Sequence, residues 1–129
     1  MGNDKGDSLV MLAAYHGHAE AVRVLLEHGA DPNRLNDRGQ CPLAGAAFKG
    51  EMAVARLLLA HGAAVDAAGP DGRTALMTAA MFNRLEMMRL LLEAGADPAA
   101  RDAAGNTALD AARAMGAADA AALLEGTVP

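Results

Sequence analysis

Residues 69–101 read GPDGRTALMTAAMFNRLEMMRLLLEAGADPAAR, and this stretch decides the architecture. Laid over the rest of the chain at an offset of 33 residues, it finds itself three more times without a gap. Gly6, Gly39, Gly72 and Gly105 share one column, and Val10, Leu43, Leu76 and Leu109 another. Ala13, Ala46, Ala79 and Ala112 form a third, Gly17, Gly50, Asn83 and Gly116 a fourth, and Gly29, Gly62 and Gly95 a fifth. A period of this length signals stacked supersecondary units rather than one folded-back core. The units run over about residues 3–35, 36–68, 69–101 and 102–126, with a short tail at 127–129, in a single domain spanning 1–129.

The columns translate into local structure. Thr74 stands where a helix N-cap belongs, its hydroxyl placed to accept from an orphaned backbone N–H, and Ser8 and Thr107 repeat the device. Cys41 takes that column in the second unit, followed by Pro42 at the first helical position, where a fixed φ helps. Leu76, Ala79 and Ala80 then fall at i, i+3 and i+4, the apolar stripe of a short helix whose alanines admit a close neighbour. The turn comes at Gly17, Gly50, Asn83 and Gly116. Asn is the residue that best replaces Gly in a left-handed conformation, so the exception agrees with the rule. A second helix follows, striped by Val22, Leu25 and Leu26 in the first unit and by Met88, Leu91 and Leu92 in the third. It closes on Gly29, Gly62 and Gly95, and prolines follow at Pro32 and Pro98. The remaining stretches, such as ADPNRLNDRG, are polar and turn-rich and read as projecting loops. Helices this short need stacking for most of their stability.

The segments GRTALMTAA and LLLEAGADP resemble the ankyrin repeat, whose signature opens G-x-T-P-L-H-x-A-A and ends L-L-x-x-G-A-D. The resemblance covers about Asn3 to Gly126 in four units. It departs from the pattern at the usual His, which is Met11, Ala44, Met77 and Asp110 here, and the usual Pro survives only as Pro42. The Thr–His network of the family is therefore missing, which predicts a stack somewhat less stable than an ideal one. The resemblance implies an all-α solenoid of four helix–turn–helix units with projecting β-turn or hairpin loops. It also implies recognition of another protein through a concave face, without catalysis.

Composition narrows the partner class. The 129 residues carry a net charge of −5, with 11 basic residues scattered among 16 acidic ones, which argues against nucleic acid. Hydrophobic residues make up 53% of the chain, yet much of that is alanine in helical stripes, and no run approaches a membrane span. The start MGNDKGDSLV has neither a basic n-region nor an apolar core, so a cytoplasmic location is expected. The single cysteine excludes an internal disulfide, and no His or acid is placed beside Cys41 by sequence logic, so it reads as structural.

No cofactor or metal is expected. His28 and His61 share a column one repeat apart, which separates them by roughly 10 Å, and ligand atoms must lie about 2 Å from a metal. Near a helix end such a residue suits the helix dipole. His16 and His18 flank the first inter-helix turn as partner contacts or ordinary surface residues. The methionines read as stripe and inter-repeat filling. The two ends differ. In the last unit Asp110 and Arg113 replace apolar positions, as a water-facing cap requires. The first unit is as apolar as an interior one, so its outer face is either exposed or covered by self-association, an upstream repeat or a partner.

The three aromatics are the sharpest signal. Tyr15 and Phe48 share a column with Met81, and Phe82 shares the next with His16, Lys49 and Met115. At about 100° per residue these columns point away from the stripe that meets the second helix. The resemblance places them on the concave face, as partner anchors. The alternative is that they pack between neighbouring repeats and widen the core. Lys5, Asp37, Arg38, Gln40, Asp71 and Arg73 at the loop tips extend that face as a rim of mixed sign. The residues contain no phosphate-cradling loop, no metal-ligand cluster and no nucleophile with a base, so no enzyme is expected. The reading is a protein-binding module, monomeric or weakly self-associating through the first repeat. A regulatory subunit neutralising a partner enzyme or toxin, and an assembly role, are the alternatives.

Overall fold

A computed structural model describes residues 9–126, and among them the chain forms eight α-helices and no strand. They come as four pairs. The inner member of each pair is α1 (Leu9–Tyr15), α3 (Pro42–Lys49), α5 (Ala75–Met81) or α7 (Ala108–Ala114). The outer member is α2 (Ala19–Glu27), α4 (Met52–Ala60), α6 (Leu85–Glu93) or α8 (Ala118–Glu125). Each inner helix stacks on the inner helix of the next pair and on its own outer partner, and the outer helices stack likewise.

The helix starts follow from the cap column. Thr74 Oγ1 accepts from the backbone N–H of Met77 at 3.3 Å. Thr107 Oγ1 accepts from Asp110 N at 3.2 Å, and Asp110 Oδ2 accepts in return from Thr107 N at 3.0 Å. Asp110 is therefore more than a polar substitution on an outer face: it completes a reciprocal cap. Cys41 makes no side-chain cap bond, and Pro42 opens α3 at its first position. Ser8 lies outside the described residues.

The helix ends follow from the turn columns. Gly17, Gly50 and Gly116 hold φ of 71°, 73° and 70°, and Asn83 holds 57°, the one positive φ on a non-glycine among the described residues. Around Asn83, Arg84 N donates to Ala79 O at 2.9 Å and Asn83 N to Ala80 O at 3.2 Å. This pair of bonds satisfies the last carbonyls of α5, and it recurs at the other turns and after α2, α4 and α6. Asn83 adds something glycine cannot: its Oδ1 accepts from Ala120 N, at the start of α8, at 2.9 Å.

The core lies between the two helix layers. Leu43, Ala46, Ala47, Leu76, Ala79 and Ala80 from the inner layer meet Val22, Leu58, Met88 and Leu91 from the outer, all essentially sealed from water. Each fully buried leucine contributes about 2 kcal/mol by transfer alone. The paired alanines leave no bulk between layers, which is what lets such short helices approach closely. The last pair loosens this scheme. Leu109 is only partly buried, and Arg113 turns to solvent, 3.5 Å from Glu125. At the other end, Leu9 and Val24 are 43% and 41% exposed, whereas Pro42, Ala75 and Ala108, in the column of Leu9, are buried by the preceding pair.

The loops are turns closed by side chains rather than paired strands. Asn36 Oδ1 accepts from Arg38 N and Gln40 N, and Asp102 Oδ1 accepts from Ala104 N and Asn106 N, all at 2.9 Å. Between repeats, Asn33 Oδ1 accepts from Ala64 N at 2.8 Å and Asp66 Oδ1 from Asp97 N at 3.0 Å. Gly69 replaces the polar turn residue of its column because a Cβ there would collide with the Gly39 carbonyl. Among the described residues, no helix is long and apolar enough to cross a membrane.

Candidate functional site

The C-terminal ends of α1, α3 and α5 bring the aromatics into one row. Tyr15 and Phe48 lie nearly parallel, with ring centroids 6.2 Å apart and planes 9° from coincidence. Phe82, the C-cap of α5, meets Phe48 edge to face at 4.8 Å. His16 sets its ring edge-on to Tyr15 at 5.3 Å, and Lys49 Nζ stands 5.1 Å from the Tyr15 centroid, a cation over a π face. The three rings are 39%, 38% and 40% exposed. They pack against one another between neighbouring repeats and still face water. Each ring pair is worth about 1 kcal/mol beyond the area it buries.

The row is held from below. Arg84, one repeat further on, donates from Nε and Nη2 to the Phe48 carbonyl oxygen at 3.3 and 3.1 Å. That carbonyl belongs to the last turn of α3, where a cation complements the helix dipole.

The inner helices and the turn-closed loops enclose an open groove of about 660 Å³. Tyr15, His16, Phe48, Met81 and Phe82 line it from the helices, and Arg38, Gln40, Asp71 and Arg73 from the loops. Lys49 sits beside it, over Tyr15. Met115 continues the column at the end of α7, exposed but outside the groove, and Asp37 is exposed at its loop tip without lining it. Lys5 lies outside the described residues. Asp71 Oδ1 accepts from Arg73 N at 3.0 Å, which fixes the turn between these two charges.

Sequence reasoning overlooked the floor, which includes Met11, Ala44, Cys41 and Thr78. A signal existed: Met11 lies one helical turn before Tyr15, and Ala44 precedes Phe48 by the same step. The Cys41 thiol is buried, and desolvation pushes its pKa up. A thiol so placed is a poor nucleophile. The described residues contain no group of three His, Cys, Asp or Glu side chains placed to hold a metal ion.

Comparison with known families agrees with the period. A family model described as "Ankyrin repeats (3 copies)" matches residues 1–68, and one described as "Ankyrin repeats (many copies)" matches residues 58–112. No curated protein matches the chain closely enough to serve as a relative. Ankyrin repeats are generally protein–protein interaction modules and typically non-catalytic. The period, the paired helices, the turn columns and these matches converge: the chain belongs to the ankyrin-repeat family.

Proposed function

We propose that this chain is a binding module that takes a partner protein in the groove formed by its inner helices and loop tips. The observation that carries this reading is the aromatic row. Tyr15, Phe48 and Phe82 are the whole aromatic complement of the chain, and each keeps more than a third of its surface in water. A protein that needed them only for its core had buried positions available two residues away, at Ala13, Ala46 and Ala80. Rigid aromatics with few torsions to freeze are the usual anchors of protein interfaces. Affinity capture from a source lysate tests the proposal, with the native chain set against a Phe48→Leu/Phe82→Leu variant that melts cooperatively. A protein retained by the first and lost by the second supports it; identical retention by both overturns it.

A second reading has its own observation. The outer face of the first pair exposes Leu9, Val24 and Ala21, whereas Val54 and Met87, in the column of Ala21, are sealed by the preceding repeat. Weak self-association through this face would cover it. Light scattering over a concentration series decides: a mass that stays monomeric at high concentration removes this reading.

A further inference from the structure

The groove has a charge as well as a shape, and the charge is opposite to that of the chain. The protein is acidic overall, with a net charge of −5. Much of that excess lies on the outer helices, where Glu20, Glu27, Glu86 and Glu93 are all exposed. The groove is lined by Arg38 and Arg73 against one carboxylate, Asp71, and Lys49 stands at its edge. Asp71 already accepts from the Arg73 backbone.

Among the described residues, ion pairing is confined to two arginines, and those of the groove share their unpaired state with Arg34, Arg56 and Arg89. Arg23 is clamped between Glu20 and Glu27, and Arg113 pairs with Glu125. Among the described residues, neither Arg38 nor Arg73 enters an ion pair, and both are exposed on adjacent loop tips. Two unpaired guanidinium forks beside a half-open aromatic row can each take a carboxylate in two parallel hydrogen bonds. The acidity of the outer layer interferes little. Helix layers are about 8–10 Å apart, and physiological salt screens exposed charges over about 8 Å.

We infer that the groove takes an acidic peptide segment of the partner, whose apolar side chains seat on the Tyr15–Phe48–Phe82 row while its carboxylates face Arg38, Arg73 and Lys49. This inference rests on the groove being the binding face and adds the chemistry of what binds there. A basic segment would meet three like charges. A single-stranded nucleic acid offers anions too, but its bases need open ring faces. Here Phe48 packs against Tyr15 and, with its plane perpendicular, against Phe82, and Lys49 stands over Tyr15.

The test is selection from a random peptide display library on the native chain, on Arg38→Glu/Arg73→Glu and on Phe48→Leu/Phe82→Leu, each confirmed folded by circular dichroism. The arginines are exposed, so their variant does not depend on repacking. The expected pool on the native chain carries net negative charge and at least one large apolar residue. A peptide from that pool should bind the charge-reversed variant roughly tenfold or more weakly, should lose affinity as salt is raised, and should fail to bind the Phe48/Phe82 variant. A neutral or basic pool that is lost on the Phe48/Phe82 variant overturns the charge inference and leaves the groove standing. A pool that binds the Phe48/Phe82 variant unchanged overturns the groove reading itself, and an empty pool on the native chain overturns both. Oligouridylate that displaces the selected peptide at similar concentration shows the arginines reading phosphate and overturns the assignment to a peptide.

Discussion

The Arg84 guanidinium reaches back one repeat to the Phe48 carbonyl oxygen and donates to it twice, at 3.1 and 3.3 Å. It thereby ties the start of α6 to the end of α3, and it fixes the residue at the centre of the aromatic row. Arg84→Met keeps the stem and removes both donors. The expected cost is about 1 kcal/mol, the usual net worth of such bonds where solvent competes. Arg84→Lys should recover only part of it, because an ammonium lacks the fork. Urea denaturation of the three proteins checks this; equal midpoints would leave the contact without energetic weight.

Phe48 and Phe82 separate interface anchors from core. A sealed phenylalanine costs roughly 3–5 kcal/mol when cut to alanine. Each of these rings is about 40% exposed, so Phe48→Ala and Phe82→Ala should cost about 1–2 kcal/mol, with Phe48 the larger because it touches two rings. The double variant should show a coupling of about 1 kcal/mol in a double-mutant cycle. Losses of core size in either single variant would count against the groove.

Asn83 carries two loads that substitution can divide. Asn83→Gly keeps the left-handed backbone and loses the bond to Ala120 N, a cost of about 1 kcal/mol. Asn83→Ala loses the bond and adds the left-handed penalty of about 1–2 kcal/mol. Thermal melts should therefore rank native above Gly above Ala. A glycine variant as stable as the native protein would show the inter-repeat bond to be idle.

Asp110 gives the fold a pH signature. Hydrogen bonds from the Thr107 backbone and hydroxyl hold its carboxyl below the ordinary aspartate value of 3.8. A group depressed on folding lends stability above its unfolded pKa and loses it as pH falls through the folded one. The stability difference between the native protein and Asp110→Asn should be constant near neutral pH and shrink only below about 3.8. A difference that changes between pH 5 and 8 would assign it to another group.

Much of this was legible because the period writes each local rule several times. The caps at Thr74 and Thr107, the left-handed Asn83 and the glycine helix ends each need a residue type at a place, and columns report that directly. What stayed hidden were bonds from a side chain to the backbone of the next repeat. Asn33 to Ala64 and Asp66 to Asp97 span 31 residues, and their acceptors differ in type. Any residue supplies the donor, so no complementary column appears. Arg84 was invisible for the same reason, since its acceptor is a carbonyl. The groove was half legible: the aromatic columns named its wall, while the Cys41 and Thr78 floor depended on how the loops fold over the helices.

Cys41 should test the depth of that floor. Its buried thiol, with a raised pKa, should react with iodoacetamide far more slowly than free cysteine at neutral pH, and at the free rate once urea unfolds the stack. Fast labelling of the folded protein would mean that the loop opens readily over the groove.

The stacking of each inner helix on its immediate neighbours has a mechanical consequence. Such a stack is a row of hinged plates, whose bending modulus is set at three joints rather than throughout a shared interior. The joints are not alike. Between the second and third plates, backbone meets backbone at Gly39 and Gly69, and Arg84 clasps Phe48 across the same seam. Between the first and second, the described loop bonds are those of Asn33 to Gly62 and Ala64. A load that splays the groove therefore meets a different set of restraints at each joint along its length.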